Sequence, residues 1–159
     1  MIAIRRATTA DESTLWEMLY YAIYQRPDEP PLPRHIVRRP ELSRYVDGWG
    51  RPDDSGFVAA MNGQPIGAVW LRALAEPEPG YGYVNDETPE LSMAVLPAYR
   101  GRGIGSQLLT RLLSEAARRY PGVSLSVAAD NPARRLYERH GFVAVKQSGD
   151  SLTMLWSRG

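Results

Sequence analysis

The sequence predicts an α/β protein with the element order βααβββαβαββ. Three observations support this order. A strand, a glycine-rich turn and a helix follow one another over residues 90–113, a hairpin of two strands precedes them, and a second helix followed by a hairpin comes after them. The 159 residues suit one domain with a sizeable core, and no internal repeat divides them. We therefore predict a single domain over residues 1–159.

The first part of the chain predicts one strand and two helices. Residues 2–8 form the strand, and Thr9 with Glu12 forms a capping box for a helix that has one apolar face. Four prolines between residues 27 and 33 interrupt the helical periodicity, so residues 25–39 are predicted to be a loop. The segment PELSRYVDGW at residues 40–49 then predicts a short second helix.

Two hairpins and a further helix are predicted around the central stretch. The strands outside that stretch are predicted at residues 57–61, 66–74, 123–128, 142–147 and 152–156. Asn62 and Gly63 form the turn of the first hairpin. Asn131 is the predicted N-cap of the helix, and Gly141 has the residue type that commonly ends one.

An irregular acidic loop is predicted between the first hairpin and the central strand, over residues 75–89. Its acidic residues include Glu76, Glu78, Asp86 and Glu87, and it also carries Tyr81 and Tyr83. Carboxylates beside aromatic rings can receive a cationic amine through charge and cation–π contact. We therefore hypothesise an amine-binding role for this loop, beside the simpler interpretation of a solvated acidic loop.

The central stretch predicts a phosphate-binding turn. A short apolar strand ends at Pro97, and a helix with an apolar stripe begins after three glycines. The first N–H groups of a helix have no intrahelical partner, and glycines let a phosphate approach them. The glycines and the arginines beside them are Arg100, Gly101, Arg102, Gly103 and Gly105. The pattern predicts a phosphorylated ligand.

Two common phosphate-binding motifs do not fit this turn. The P-loop ends in Gly-Lys-Ser/Thr, whereas Ser106 follows Gly105 without a lysine, and the dinucleotide fingerprint has a different glycine spacing. Arg100-x-x-Gly103-x-Gly105 instead resembles the coenzyme A signature of the GNAT N-acyltransferases, Arg/Gln-x-x-Gly-x-Gly/Ala. The downstream segment NPARRLYERHGF, residues 131–142, resembles a second element of the same family.

The resemblance implies the GNAT acyl-CoA N-acyltransferase fold, in which helices flank a central mixed, mostly antiparallel sheet. It also implies an enzyme, an N-acetyltransferase with acetyl-CoA as co-substrate. The acetyl group would move directly to a primary amine of a small molecule or of a protein or peptide, in a sequential mechanism without a covalent intermediate. The region of the first two helices would form one wall of the acceptor pocket.

The resemblance further implies roles for individual residues. Met93 and Val95 would offer backbone groups to the pantetheine arm, with the Val95 N–H near the thioester carbonyl. The turn would hold the pyrophosphate, and Asn131 would hydrogen-bond the pantetheine arm or a water. Tyr137 matches the general acid that protonates the leaving thiolate. The implied cofactor-binding residues are Met93, Val95, Arg100, Gly101, Arg102, Gly103, Ile104, Gly105, Ser106 and Asn131.

Three routes are open for removing the proton from the acceptor ammonium. Glu90 is our first choice, provided that a bulge like the one in the family strand turns its side chain toward the face of Val95. Glu87 has the matching parity but falls in the loop. A water chain to backbone carbonyls would need no dedicated base. We therefore assign the catalytic roles to Tyr137 and Glu90.

Composition and charge argue against several other classes. A formal net charge of +1 does not indicate a nucleic-acid binder. No apolar run is long enough to span a bilayer, so we predict a cytoplasmic protein without membrane contact. His35 and His140 are far apart in sequence and there is no cysteine, so we predict neither a metal site nor a cysteine-linked acyl-enzyme.

The resemblance leaves two functional alternatives and several acceptors open. The domain could bind acyl-CoA as a sensor without catalysis, or it could use a bulkier acyl-CoA. The acceptor could be an aminoglycoside, a polyamine, an amino acid or a protein N-terminus. A homodimer is compatible with the resemblance, although no feature of the sequence indicates an interface.

Overall fold

The computed structural model of the protein describes residues 1–74 and 79–159 and confirms the predicted element order. The strands are β1 (Ile2–Arg6), β2 (Ser55–Met61), β3 (Gln64–Arg72), β4 (Glu90–Val95), β5 (Gly122–Ala128), β6 (Val143–Ser148) and β7 (Ser151–Ser157). The helices are α1 (Glu12–Ala22), α2 (Pro40–Ser43), α3 (Ile104–Ala116) and α4 (Ala133–Arg139), and a 3-10 turn at Arg34–Arg38 precedes α2. Glu76 and Glu78, which we assigned to the acidic loop, lie outside the described residues.

The seven strands form one sheet in the order β1-β2-β3-β4-β5-β7-β6. Neighbouring strands run antiparallel except β4 and β5, which run parallel, so the predicted mixed, mostly antiparallel sheet is confirmed. β4 pairs with β3 along its whole length, from Glu90 to Val95. With β5 it shares one register pair, Glu90 with Ser124. The two parallel strands therefore separate beyond their first paired residues.

The sheet buries apolar side chains on both of its faces. Leu91 belongs to the cluster that α3 and α4 cover, and Met93 and Val95 pack against the same cluster. Ala94 belongs to the cluster on the opposite face, which α1 covers together with Tyr45 and Trp49. This division follows from strand geometry, because successive side chains of a strand point to opposite faces.

The N-terminal cap of the first helical segment differs from the prediction by one residue. The capping box is formed by Thr8 and Asp11, so the predicted pair Thr9 and Glu12 is wrong. The Thr8 N–H donates to Asp11 Oδ2 at 2.8 Å, and Thr8 Oγ1 accepts from the Ala10 N–H at 3.2 Å. Arg5 also donates to both oxygens of Asp11, at 2.8 and 2.9 Å. The tertiary ion pair therefore favours Asp11 as the acidic member of the box.

A buried ion pair lies beside the end of α2, which is shorter than predicted. Arg72 donates to both carboxylate oxygens of Asp54, at 3.0 and 3.1 Å, and these two side chains are 1% and 2% exposed. Its third nitrogen, Nη1, donates to the carbonyls of Arg44 at 2.9 Å and Asp47 at 2.6 Å. The predicted helix over residues 40–49 ends at Ser43, and within the described residues the carbonyls of Arg44 and Asp47 accept from Arg72 rather than from a backbone N–H.

Candidate active site

The turn before α3 presents backbone N–H groups that have no partner among the described residues. Gly101 and Gly103 have φ angles of +78° and +79°, in the left-handed region that glycine adopts at little cost. Gly103 is the N-cap of α3, and the first bond back to it comes from Gln107 N–H at 3.1 Å. Within the described residues, no acceptor contacts the N–H groups of the intervening residues, Ile104, Gly105 and Ser106. Because the dipole of this 13-residue helix adds partial positive charge, the turn suits an anionic group.

The edge of β4 that faces β5 presents further backbone groups. The Leu96 N–H donates to the Ile66 carbonyl on the side of β3, at 2.9 Å. The Pro89 carbonyl instead accepts from the Ser124 N–H of β5, at 3.0 Å. Alternate residues of a strand direct their backbone groups to the same side. The N–H and carbonyl groups of Met93 and Val95 therefore point toward the gap between β4 and β5.

A cavity of about 880 Å³ joins the turn, this edge of β4 and the start of α4. Ten of the twelve residues that the sequence assigned to the site line it: Met93, Val95, Arg100, Gly101, Gly103, Ile104, Gly105, Ser106, Asn131 and Tyr137. Arg102 does not line it, and its guanidinium lies 5.3 Å from the centre of the Tyr99 ring. Glu90 does not line it either. A cavity of this size is typical of a small-molecule site.

Tyr137 places a phenol in the wall of this cavity. The residue is 7% exposed, and its ring packs edge-on against Phe142 with 5.7 Å between the ring centres. Burial raises the pKa of the hydroxyl to about 12. No hydrogen bond to this hydroxyl is made by the part of the chain that the structure describes. The phenol is thus protonated at neutral pH and has a proton available for a bound molecule.

Asn131 and His140 fix the two ends of α4. Asn131 Oδ1 accepts from the Ala133 N–H at 2.9 Å, so Asn131 caps the helix through its side-chain carbonyl. At the other end, His140 Nδ1 lies 3.0 Å from the Leu136 carbonyl, and His140 Nε2 lies 3.2 Å from Ser106 Oγ. These contacts join the C-terminal end of α4 to the first turn of α3. They hold Tyr137 and the phosphate-binding turn in a fixed relation.

Glu90 lies on the face of β4 opposite to Met93 and Val95. The register between β3 and β4 is continuous over all six residues of β4, so within this described ladder no bulge turns the Glu90 side chain around. Its Oε2 accepts from the Tyr45 hydroxyl at 2.5 Å and from the Gly82 N–H at 3.0 Å. Its Oε1 is buried and contacts no donor in the described residues. A side chain at Gly80 would overlap this oxygen, since its Cβ would lie 2.1 Å away.

The Glu90 carboxyl should make the stability of the protein depend on pH. Burial raises its pKa from 4.5 to about 6, although the bonds from Tyr45 and Gly82 oppose the rise. The folded chain therefore holds this proton more tightly than the unfolded chain. The resulting stability is fully present below pH 4.5 and lost as the pH rises through about 6, and it amounts to about 2 kcal/mol.

The measurement is chemical denaturation between pH 4 and pH 8 for the wild type, Glu90→Gln and Glu87→Gln. Glu90→Gln should remove this component of the pH dependence. Glu87 is exposed and three residues away, so Glu87→Gln should retain it. Parallel curves for all three proteins would contradict the assignment.

One wall of the cavity comes from the first part of the chain, and individual residues of it were not predicted. We call it the N-terminal wall: Tyr20, Tyr21, Ala22, Ile23, Tyr24, Gln25, Pro27, Pro31 and Arg34. Beside it, Arg26 donates to both oxygens of Asp130, at 2.9 and 3.0 Å. The chain neighbours of both residues line the cavity, so this ion pair lies on its rim. The three tyrosines in YYAIY were the available sequence signal, but helical periodicity alone assigns such residues to a core.

Two further properties of the described chain bear on the class of site. None of its helices, over residues 1–74 and 79–159, has the length and hydropathy needed to cross a membrane. Among the same residues, no group of three or more histidine, aspartate or glutamate side chains could hold a metal ion.

Comparison with known proteins identifies similar sequences. The sequence model of the acetyltransferase (GNAT) family matches residues 16–142. An uncharacterized N-acetyltransferase of Methanocaldococcus jannaschii is 30% identical over 148 residues, which is 87% of this chain and 59% of the relative. The chain therefore spans less than two thirds of that relative's length.

Solved structures show the same fold. The PaiA N-acetyltransferase of Thermoplasma acidophilum, in complex with coenzyme A, superposes with a TM-score of 0.69 at 19% identity, covering 99% of each chain. The yncA protein of Salmonella typhimurium, with its cofactor acetyl-CoA, gives a TM-score of 0.71 at 23% identity, covering 100% of this chain and 95% of that one. An N-acetyltransferase from Staphylococcus aureus Mu50 gives 0.68 at 25% identity, covering 100% and 99%.

Proposed function

The chain belongs to the acetyltransferase (GNAT) family, and we propose that it transfers an acetyl group from acetyl-CoA directly to a primary amine. The mechanism is sequential, with both reactants bound together and no covalent acyl-enzyme. One observation carries the proposal: a single cavity joins the first N–H groups of α3, which have no partner in the described part of the chain, the open edge of β4 and the Tyr137 phenol. These are the groups needed to bind a phosphorylated thioester and to protonate a leaving thiolate.

The residues of the cavity fit acetyl-CoA in a consistent order. The N–H groups of Ile104, Gly105 and Ser106 would hold the pyrophosphate, and Arg100 lies beside them in the cavity wall. The backbone of Met93 and Val95 would bind the pantetheine amides, as a neighbouring strand would. When bound, acetyl-CoA supplies an activated acetyl thioester. The Val95 N–H is proposed to stabilise negative charge on the thioester oxygen, and Tyr137 to protonate the sulfur.

Glu90 is proposed to be the base that finally takes up the proton lost by the acceptor ammonium. Glu90 shares a face of β4 with Ala94, which lines the cavity, and a pKa of about 6 suits a base at neutral pH. Ala94 lies four steps along the strand from Glu90, about 13 Å, so water would carry the proton across this distance. Glu87 is exposed and does not line the cavity. Glu90→Gln should therefore lower kcat more than Glu87→Gln does.

The test is release of free thiol from acetyl-CoA across a panel of amines, with product identification by mass spectrometry. Turnover of one amine class, with acetyl found on nitrogen, would support the proposal. Tight binding of acetyl-CoA without thiol release from any amine would favour a non-catalytic acyl-CoA sensor. Longer acyl-CoA thioesters in the same assay would reveal a preference for a bulkier donor.

Replacing Gly103 with alanine should weaken acetyl-CoA binding, since a left-handed φ costs a non-glycine residue about 1 kcal/mol and the N-terminal turn of α3 would shift. Gly48→Ala is the matched control. Gly48 has a φ of +70°, a Cβ there meets no atom within 4 Å, and the residue does not line the cavity. Both variants should lose similar stability in thermal unfolding. Isothermal titration with acetyl-CoA should show a raised Kd in Gly103→Ala alone, and an equal Kd in both variants would contradict the assignment of the turn.

A further inference from the structure

The charged side chains that line the cavity all carry the same sign. They are Arg34, Arg100 and Arg139, and no aspartate or glutamate of the described chain joins them. Arg100 lies in the phosphate-binding turn, and Arg139 lies at the end of α4, which adjoins that turn through His140. Arg34 alone belongs to the N-terminal wall, away from the turn. The acceptor side of the cavity is therefore positively charged through this one residue.

Arg34 has aromatic partners but no carboxylate partner within the described residues. Its guanidinium lies 4.5 Å from the centre of the Tyr20 ring and 5.2 Å from that of Tyr21. Its Nη2 donates to the Tyr21 hydroxyl at 2.8 Å. The Tyr20 hydroxyl in turn donates to the Leu32 carbonyl at 2.6 Å, which ties the segment carrying Arg34 to α1. No other hydrogen bond from the guanidinium to a described residue is present, so its remaining N–H groups can donate to a bound molecule.

We propose that the acceptor is an amine that also bears a carboxylate, as a free amino acid does, and that Arg34 binds this carboxylate. The inference rests on the proposed acetyl transfer and adds the substrate class. A guanidinium matches a carboxylate through two parallel N–H bonds. Stacking on Tyr20 and Tyr21 orients Arg34 in advance, which reduces the side-chain entropy lost on binding.

The same charge distribution argues against the other acceptors. Polyamines and aminoglycosides carry several positive charges at neutral pH, and Arg34 would repel them. Sites for such cations are typically lined by carboxylates, which the described cavity lining lacks. The first residue of a protein has its α-carboxyl in a peptide bond, so it offers Arg34 no α-carboxylate as a counter-charge. A free amino acid supplies both required groups: a carboxylate for Arg34 and an amine that accepts the acetyl group.

The decisive experiment compares thiol release with free amino acids, their primary amides, a tripeptide amide, spermidine and kanamycin. It is run on wild type, Arg34→Gln and Arg38→Gln. Arg38 is the matched control, because it lies on the same 3-10 turn, stacks on Trp16 at 3.9 Å and does not line the cavity. Wild type should prefer an acid over its amide by about tenfold or more in kcat/KM. Arg34→Gln should abolish that preference by raising KM for the acid, with KM for acetyl-CoA unchanged, and Arg38→Gln should keep it.

The inference is overturned if spermidine, kanamycin or the amides are the best acceptors of the wild type. It is equally overturned if Arg34→Gln weakens acids and amides alike. If no amine releases thiol, the proposed acetyl transfer fails instead. Titration of amino acids into the acetyl-CoA-loaded protein then decides the substrate class separately: binding that Arg34→Gln weakens supports the carboxylate site, and undetectable binding overturns it.

Discussion

Replacing Tyr137 with phenylalanine is expected to lower kcat for amine acetylation by about tenfold or more, because general acid catalysis contributes at least that much. The variant loses one oxygen and keeps the ring that packs against Phe142. The leaving thiolate would then have to take its proton from water. Steady-state thiol release should show the fall in kcat, while the Kd for acetyl-CoA should stay close to that of the wild type.

Tyr120→Phe is the control for this substitution. The Tyr120 hydroxyl is buried and has no hydrogen-bond partner in the described residues, and Tyr120 does not line the cavity. Removing it makes the same chemical change away from the site, so kcat should not change. If Tyr137→Phe and Tyr120→Phe have equal rates, Tyr137 is a structural aromatic residue and the general acid must be sought elsewhere.

Arg72→Met is expected to cause the largest loss of stability, about 3–5 kcal/mol. The substitution removes the buried one of two arginines that pair with the Asp54 carboxylate, which is only 2% exposed. The other, Arg51, is 47% exposed and lies farther away, at 3.6 Å. The substitution also removes the donor to the carbonyls of Arg44 and Asp47, so the segment after α2 loses its attachment to the sheet. Urea denaturation monitored by tryptophan fluorescence would measure the difference in the free energy of unfolding.

Two further variants separate loss of charge compensation from loss of packing. Asp54→Asn added to Arg72→Met removes the buried charge, which would otherwise pair only with the half-exposed Arg51, and should recover part of the stability. Arg134→Gln breaks an ion pair with Glu138 whose side chains are 39% and 47% exposed, so its denaturation midpoint should hardly move. A similar midpoint for Arg72→Met and Arg134→Gln would show that burial does not strengthen the inner pair.

The sequence predicted most of the fold because the relevant signals are local. The turn at Asn62 and Gly63, with φ angles of +51° and +80°, and the glycine turn before α3 require particular residue types over a few positions. The same locality explains why ten of the assigned residues line one cavity. They belong to two short motifs, and the structure brings α3 and α4 together through His140 and Ser106.

Features that depend on distant residues were not predictable in this way. The carbonyls that follow α2 accept from Arg72, which lies more than 20 residues farther along the chain. Glu90 and Tyr45 are 45 residues apart, so strand alternation gives the face of β4 on which Glu90 lies but not the bond that its carboxylate accepts from Tyr45. Arg34 was one of several charges in a proline-rich loop. Its proposed role in binding a carboxylate could be inferred only after the structure showed that the described cavity lining contains no aspartate or glutamate.

The separation of β4 from β5 places two strand edges inside the sheet, and exposed edges ordinarily invite pairing with foreign chains. Three features of β4 and the residues after it limit pairing with a foreign strand. Pro97 follows β4 closely and cannot donate a backbone hydrogen bond, and Arg100 Nε donates to the Val95 carbonyl at 3.0 Å. Only the residues of β4 that follow Glu90 are open toward β5, and keeping an edge short is one way in which proteins limit such pairing. The cleft can therefore accept a small molecule with a few amide groups while resisting β-sheet aggregation.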